Sequence, residues 1–184
     1  MNKRFYIENR IQLFESIKDE RCVIILSSGY SINRSADEDY EFQVNNNFYY
    51  LTGITQPDTY LVLIKDGDDY IEELYIDPYD EMHEKWLGHR ITKKEANSIS
   101  GVYVSNIDYT DTFEDNCEQL FDEYDVVYLD LENKRNTNHN SFGLSFRDEL
   151  SVNHKNLKVK DIYGNIIKLR GSKKSCEVAA LKRA

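Results

Sequence analysis

A continuous apolar run near the start of the chain constrains the fold more than any other feature of the sequence. Residues 22–26, CVIIL, are uniformly apolar and are followed by Ser-Ser-Gly. A strand that is buried on both faces of its sheet has this pattern. Residues 60–64 form a second such run, and residues 125–131 have the same strand character. The sequence therefore predicts a sheet whose centre is covered on both sides.

The connections between these runs predict how the sheet is arranged. Residues 60–64 and 70–76 are separated by KDGDD, whose Asp-Gly pair favours a tight turn and thus an antiparallel hairpin. Elsewhere, predicted strands alternate with helical periodicity. Helices are predicted at residues 3–18, 92–98, 111 or 112 to 124, 142–150 and 175–184, and short strands at 48–52, 101–105 and 159–163. We expect an α/β fold in which a mixed β-sheet is flanked by helices.

The stretch NNNFYYLTG, residues 45–53, is interpreted as a loop that enters a short strand. Asparagine side chains compete for backbone hydrogen bonds, whereas the aromatic and β-branched residues after them favour strands. Gly53 would then release the chain into a turn at Pro57 and Asp58. The polar residues 30–47 lack periodicity, and we expect an ordered or semi-ordered loop there.

Two helix starts carry a capping signal. Thr92 precedes Glu95 by three residues, which is the spacing of a capping box. Ser175 can cap the last helix, which runs to Ala184 without the Gly, Asn or Pro that usually ends a helix. We therefore expect that this helix continues beyond residue 184.

Composition excludes several classes of protein. The chain has 184 residues, 40% of them apolar, which suits one domain with a real core. Its formal net charge of −10 argues against a nucleic-acid partner, because phosphate binding needs a basic face. No apolar run approaches the roughly 20 residues of a membrane span, and no signal peptide is recognisable. We expect a cytoplasmic protein without a membrane partner, and its three widely spaced cysteines agree with reduced thiols.

The residues alone predict no catalytic residue and no metal site. The chain lacks the G-x-G-x-x-G, P-loop, G-x-S-x-G and H-E-x-x-H motifs. An acidic run at residues 66–69 is better explained as the hairpin turn. One further group offers oxygen and nitrogen ligands, namely Asp80, Glu81, His83 and Glu84. Because His83 and Glu84 are neighbours, they would point apart on a helix.

Two other features have ordinary structural explanations. Trp86 is the only tryptophan, and a lone tryptophan is usually a packing residue whose N–H meets a carbonyl group. Arg34 and Asp37 would form an exposed ion pair that contributes little stability. Spacing alone makes none of these residues a site.

Three blocks of the chain nevertheless resemble a known family. They are RSADEDYEFQVNNNFYYLTGITQPDTYLVLIK, EKWLGHRITKKEA and KLRGSKKSCEVAALKRA. Together they resemble the amino-terminal domain of the aminopeptidase P family, the Xaa-Pro aminopeptidases of the creatinase and prolidase superfamily. The second block resembles the family's Glu-x-Trp-x-Gly-x-Arg segment, and the third its L-R-x-x-K-S-x-x-E junction helix. Order and spacing agree from Arg34 to Ala184. Gln43-Val44 and Gly171-Ser172 depart from the family pattern.

The resemblance implies a fold and a function. The fold would be the creatinase-type N-terminal domain with its ribonuclease H-like motif, at residues 1–170, followed at 171–184 by the start of a junction helix. The parent enzyme would be a cytoplasmic, homo-oligomeric hydrolase that releases the N-terminal residue from peptides with proline in second position. Its catalytic domain, in the same chain, would hold two divalent metal ions, manganese in many relatives.

For the 184 residues themselves the resemblance implies a supporting role. The domain would take part in subunit assembly and bound the active-site entrance, with Trp86 and Asp37 at the rim of the channel that admits the peptide. We expect the chain alone to lack peptidase activity. An alternative is a stand-alone protein-interaction module of the same fold. A nucleotide-binding α/β protein is excluded because no strand is followed by a glycine-rich loop.

Overall fold

A computed structural model of the protein describes residues 1–78, 88–132 and 141–183. The helices in these ranges are α1 (Lys3–Ser16), α2 (Asn46–Thr52), α3 (Lys93–Ser100), α4 (Phe113–Glu123), α5 (Phe142–Asn153), α6 (Tyr163–Gly171) and α7 (Ser175–Leu181). The strands are β1 (Arg21–Ser27), β2 (Asn33–Ser35), β3 (Glu38–Asp39), β4 (Tyr60–Asp66), β5 (Asp69–Ile76), β6 (Ile107–Tyr109), β7 (Val126–Leu129) and β8 (Lys158–Asp161). None of these helices has both the length and the apolar content that a membrane crossing requires.

Six of the strands form one mixed sheet in the order β6-β5-β4-β1-β7-β8. The predicted hairpin is confirmed, since β4 and β5 are antiparallel and pair from Tyr60 with Tyr75 to Asp66 with Asp69. Strand β4 is also antiparallel to β1, whereas β1 is parallel to β7, β7 to β8 and β5 to β6. Within the described ranges, β4 alone therefore runs against the other five strands of this sheet.

Helices cover both faces of the sheet, as the apolar runs predict. Cys22, Ile24 and Leu26 of β1 pack into one cluster with α1, α2, α3 and α6. Val23 and Ile25 point to the other face and pack with α4 and α5. This alternation follows from the two-residue period of a strand. Strand β1 is thus buried on both faces, as its sequence indicates.

The prediction of a strand at residues 48–52 is wrong, because this segment is helix α2. Asn45 is its N-cap, and the Asn45 side chain accepts hydrogen bonds from the backbone N–H groups of Asn47 and Phe48 at 2.8 and 3.1 Å. Gly53 ends the helix in the left-handed conformation, at φ 73°. The first asparagine therefore starts a helix rather than a loop, because capping and burial outweigh the weak strand preference of the aromatic residues.

Other boundaries also differ from the prediction. No strand forms at residues 101–105, because Gly101 closes α3 at φ 79° and a 3₁₀ turn follows at Val104–Asn106 before β6 begins. Within the loop predicted at 30–47, the short strands β2 and β3 pair with each other. At α7 the cap position is Lys174, and Ser175 is the first helical residue. The predicted capping box at Thr92 and Glu95 is confirmed.

Candidate functional site

Polar residues lie together along one end of the sheet, where several strands begin or end. Strands β1, β5 and β7 run in the same direction, so their carboxyl ends meet there together with the start of β4. Ser28, Asp77 and Asp130 directly follow β1, β5 and β7, and Thr59 directly precedes β4. Ligands of open α/β sheets bind outside the carboxyl ends of the strands. We call this side of the molecule the strand-end edge.

A strained turn before β4 lies at the strand-end edge. Asp58 has a left-handed backbone at φ 51°, and its N–H donates to the Gly29 carbonyl at 2.8 Å. Burial raises the pKa of the Asp58 carboxyl, and the negative charge of Asp77 raises it further, whereas Arg90 lowers it. Arg90 also forms an ion pair with Asp77 at 3.3 Å. The turn therefore holds two neighbouring carboxylates against one guanidinium group.

The same turn fixes the end of the second sequence block, EKWLGHRITKKEA. The Gln56 side chain donates to the His89 carbonyl at 2.7 Å and accepts from the Ile91 N–H at 3.0 Å. Trp86 lies outside the described residues, as do Asp80, Glu81, His83 and Glu84. The rim position of Trp86 therefore stays a prediction.

Asp37 occupies the turn between β2 and β3, where its side chain is exposed. The expected ion pair between Arg34 and Asp37 does not form, because Arg34 reaches Glu38 at 3.1 Å instead. The Arg34 guanidinium also lies 5.9 Å from the centre of the Tyr40 ring. The hairpin thus presents the exposed carboxylate of Asp37 at its tip, and the rim position of Asp37 stays a prediction.

A buried polar connection joins the strand-end edge to the C-terminal helices. Asn47, only 1% exposed, donates its amide N–H to the Asp130 carboxylate at 2.8 Å. Its amide oxygen accepts from the Arg170 guanidinium at 2.5 Å. Burial raises the pKa of Asp130, and the hydrogen bonds from Asn47 and from the Glu132 N–H oppose that rise. One asparagine thus links the end of β7, helix α2 and helix α6.

A second buried asparagine makes the equivalent connection from α1. Asn9 is fully buried and donates to the Tyr50 carbonyl at 2.8 Å, near the end of α2. Its amide oxygen accepts from the Lys174 ammonium group at 2.7 Å. The ammonium group also lies 5.4 Å from the centre of the Phe5 ring. Helix α1 therefore holds the residue directly before α7.

Glu177 stabilises the start of helix α7. The Glu177 carboxylate accepts a hydrogen bond from the Lys174 N–H at 2.8 Å, in the first turn of α7. An acid at this position satisfies a free backbone donor and interacts favourably with the helix dipole. Arg170, Lys173 and Glu177 stand at the charged positions of the L-R-x-x-K-S-x-x-E pattern, and Lys174 stands where the pattern has serine. We refer to residues 170–181 as the junction segment.

Comparison with known proteins shows the family of the chain. Residues 6–128 match the family model described as aminopeptidase P, N-terminal domain. This chain belongs to the aminopeptidase P N-terminal domain family. The resemblance inferred from the three blocks is confirmed.

The curated relatives of this aminopeptidase P domain are longer proteins. It is 28% identical over 199 residues to intermediate cleaving peptidase 55 of Saccharomyces cerevisiae, covering 97% of this chain and 37% of that protein. It is 27% identical over 132 residues to the Xaa-Pro aminopeptidase of Escherichia coli, covering 70% of this chain and 29% of that enzyme. The chain thus spans well under half the length of these relatives.

Solved structures confirm the fold of the domain. A Bacillus anthracis protein assigned as an aminopeptidase P superimposes with a TM-score of 0.93 at 33% identity, over 100% of this chain and 44% of that one. The Escherichia coli aminopeptidase P in complex with the inhibitor Pro-Leu gives a TM-score of 0.82 at 24% identity, over 100% and 42%. At the latter identity the likeness shows the fold alone.

Metal ligands are not assembled in the described part of this aminopeptidase P domain. No three His, Cys, Asp or Glu side chains within residues 1–78, 88–132 and 141–183 are grouped to hold an ion. The residues of the strand-end edge and the junction segment form ion pairs and hydrogen bonds. They can orient neighbouring groups, but they do not fit the two metal ions that the family implies.

Sequence reasoning missed Asn9, Asn47 and Asp130. One signal was present for Asn9, which lies four residues after Phe5 and four before Leu13, on the apolar stripe of α1. A polar residue at such a position is buried and needs partners. Asn47 gave no comparable signal, because it lies in the polar stretch that is predicted to be a loop.

Proposed function

We propose that this chain is the non-catalytic N-terminal domain of a metal-dependent Xaa-Pro aminopeptidase. A catalytic domain follows in the same chain and holds two divalent ions, manganese by family resemblance. The whole enzyme is a cytoplasmic homo-oligomer that releases the first residue of peptides with proline in second position. Residues 1–170 support assembly and the active-site entrance, and residues 171–184 begin the helix that leads to the catalytic domain.

The family match carries this proposal. A model of an N-terminal domain matches residues 6–128, and the chain covers only 44% of the Bacillus anthracis structure that it superimposes on. The described residues form a core and a polar edge but no grouped metal ligands. A domain of this kind contributes to the reaction by shaping access and orientation, since two-metal hydrolysis needs its carboxylates in one cavity.

A stand-alone interaction module of the same fold is the second candidate. Apolar clusters cover both faces of the sheet within the described residues. Such a core is expected to fold without a further domain. In that case the junction segment would bind another protein instead of leading to a catalytic domain.

The test begins with the gene that encodes the chain. The product read beyond residue 184 and the 184-residue chain are each incubated with Mn²⁺ and a peptide that has proline in second position. A peptide with alanine at that position is the control. We expect the longer protein to release the first residue of the proline peptide and the 184-residue chain to release none. Release by the short chain, or an immediate stop codon, would contradict the proposal.

The rim assignment is tested separately in the longer protein. Asp37→Asn and Trp86→Ala are expected to raise KM more than they lower kcat, because rim residues contact the peptide and not the reacting atoms. Asp68→Asn is the matched control, since Asp68 is exposed in the β4–β5 turn at the opposite edge of the sheet. Unchanged kinetics in both rim variants would remove these residues from the entrance.

A further inference from the structure

Two buried asparagines of the domain share one pattern of contacts. In each, the amide N–H donates into the body of the domain, Asn9 to the Tyr50 carbonyl and Asn47 to the Asp130 carboxylate. In each, the amide oxygen accepts from a cation of the junction segment. An asparagine is suited to this task because it carries a donor and an acceptor on one rigid group.

The two cations lie on either side of the short connection between α6 and α7. Arg170 belongs to the last turn of α6, Lys174 is the cap of α7, and three residues separate them. Their partners are on different helices, α2 and α1. The Arg170 contact holds the end of α6 and the Lys174 contact holds the start of α7, so the connection between the two helices is held at both ends.

We infer that Asn9 and Asn47 are positioning residues that set the direction of α7 through Lys174 and Arg170. The inference rests on the proposed function, in which α7 leads to the catalytic domain. By setting the direction of this helix, the two asparagines orient the entrance side of the domain relative to the catalytic centre.

The charge of Asp130 determines how Asn47 is oriented. A carboxylate accepts only, so Asn47 must turn its N–H groups toward Asp130 and its oxygen toward Arg170. Asp161 adds negative charge near Asp130, and Asn45 and the Glu132 N–H also donate to it. An aspartate at position 47 would face Asp130 with a second acceptor, and the hydrogen bond between them would be lost.

Exchanging the side chains at positions 47 and 130 tests this arrangement of donor and acceptor. Asn47→Asp leaves two carboxylates facing each other, and Asp130→Asn replaces an acceptor-only group with an amide that can also donate, so the orientation of Asn47 is no longer fixed. The double variant N47D/D130N restores a donor and an acceptor in the opposite order and keeps an acceptor for Arg170. Residues within one hydrogen-bond network couple in this way in double-mutant cycles.

The direction of α7 can be followed through Cys176. Cys176 is exposed on α7, whereas Cys22 and Cys117 are buried, so a nitroxide label can be attached there in the 184-residue chain. We expect the label to become more mobile in each single variant and to regain its original spectrum in the double variant. Backbone amides of α7 should exchange about tenfold faster in each single variant, which corresponds to about 1.4 kcal/mol of lost coupling.

Variants of the two cations test the inference with less risk that the domain unfolds. Arg170→Gln and Lys174→Gln each remove one cation at the end of the chain and should loosen α7 without unfolding the sheet. Asn106→Leu is the matched control, because Asn106 donates to the Glu72 carbonyl at 3.1 Å but meets no cation of the junction segment. An immobile label in both cation variants, or a double variant as mobile as the single ones, would overturn the inference.

Activity of the longer protein provides an independent reading. We expect kcat/KM for the proline peptide to fall in Asn47→Asp and in Asp130→Asn, and to recover in the double variant. An inactive wild type would contradict the proposed function but leave the label experiment intact. If the double variant regains the original label spectrum but not the activity, the asparagines have only a local structural role, and their positioning role is overturned.

Discussion

At the scale of single residues, Arg10 shows how a cation is accommodated in the core. Its side chain is fully buried, and its Nε and Nη2 atoms donate to both oxygens of Glu72 at 2.8 Å. Its Nη1 atom donates to the carbonyl groups of Leu51 and Ser100 at 2.7 and 3.0 Å. The two carbonyls lie in the last turns of α2 and α3, where backbone acceptors lack helical partners. One side chain thus connects three helices to the sheet.

Removing this side chain should be costly. We expect Arg10→Met to lower the free energy of unfolding by about 3–5 kcal/mol, because it leaves a partly buried carboxylate without a partner. Urea unfolding at pH 7 measures the change. Arg4→Met is the control, since Arg4 pairs with Glu8 at the surface, and it should cost far less than Arg10→Met. Equal losses in the two variants would contradict this account.

Asp130 should give the stability of the domain a distinctive pH dependence. Because burial raises its pKa in the folded chain, its ionisation favours unfolding. Its contribution to stability is complete below the ordinary carboxyl pKa and is lost as the pH rises through the raised value. Unfolding free energies of the wild type and Asp130→Asn are compared between about pH 4 and pH 8. The wild type should lose stability relative to the variant as the pH rises, and a constant difference would contradict the prediction.

At the scale of elements, α2 marks the limit of what the sequence predicts. Strands β1, β4 and β5, the hairpin and the capping box of α3 all follow from local patterns. The assignment of α2 failed because its residues prefer strands locally, while its helix depends on Asn45 at one end and Gly53 at the other. The junction contacts were not predictable, since Asn47 and Arg170 are 123 residues apart and Asn9 and Lys174 are 165 apart.

Gly53 is expected to be the most sensitive position of α2. It has φ 73°, and an added Cβ atom would lie 2.4 Å from the Tyr6 ring. We expect Gly53→Ala to lower the free energy of unfolding by more than about 2 kcal/mol, because backbone strain and a clash add. In Gly67→Ala the backbone is also left-handed, at φ 63°, but nothing lies within 4 Å. This control measures the backbone strain alone, which should lower the free energy of unfolding by about 1 kcal/mol. Equal losses in the two variants, measured by chemical unfolding, would contradict the packing argument.

At the scale of the whole molecule, the two apolar layers determine which chemical groups are accessible. Cys22 lies in the cluster of α1, α2, α3 and α6, and Cys117 lies in the cluster of α4 and α5. Burial raises the pKa of Cys22 to about 11 and that of Cys117 to about 12. Cys176 is exposed. The fold therefore separates one reactive thiol from two protected ones.

This separation can be measured by titration with a chromogenic disulfide reagent. At pH 7 the folded chain should react rapidly at Cys176 alone, because the thiolate is the reactive form and the other two thiols are both buried and predominantly protonated. All three should react in denaturant. Cys176→Ser should abolish the rapid phase. Rapid reaction of a second thiol in the folded chain would indicate that one apolar layer opens easily.

The two outer strands of the sheet have a consequence for aggregation. An outer strand exposes unpaired backbone groups that can recruit another chain, and short length or charge prevents this. Strand β6 has only three residues, and β8 carries Lys158 and Lys160. Neither offers a long, flat, apolar template for a foreign strand. We therefore expect the domain to resist fibril growth, and copies of it to associate through helices or loops rather than by extending the sheet.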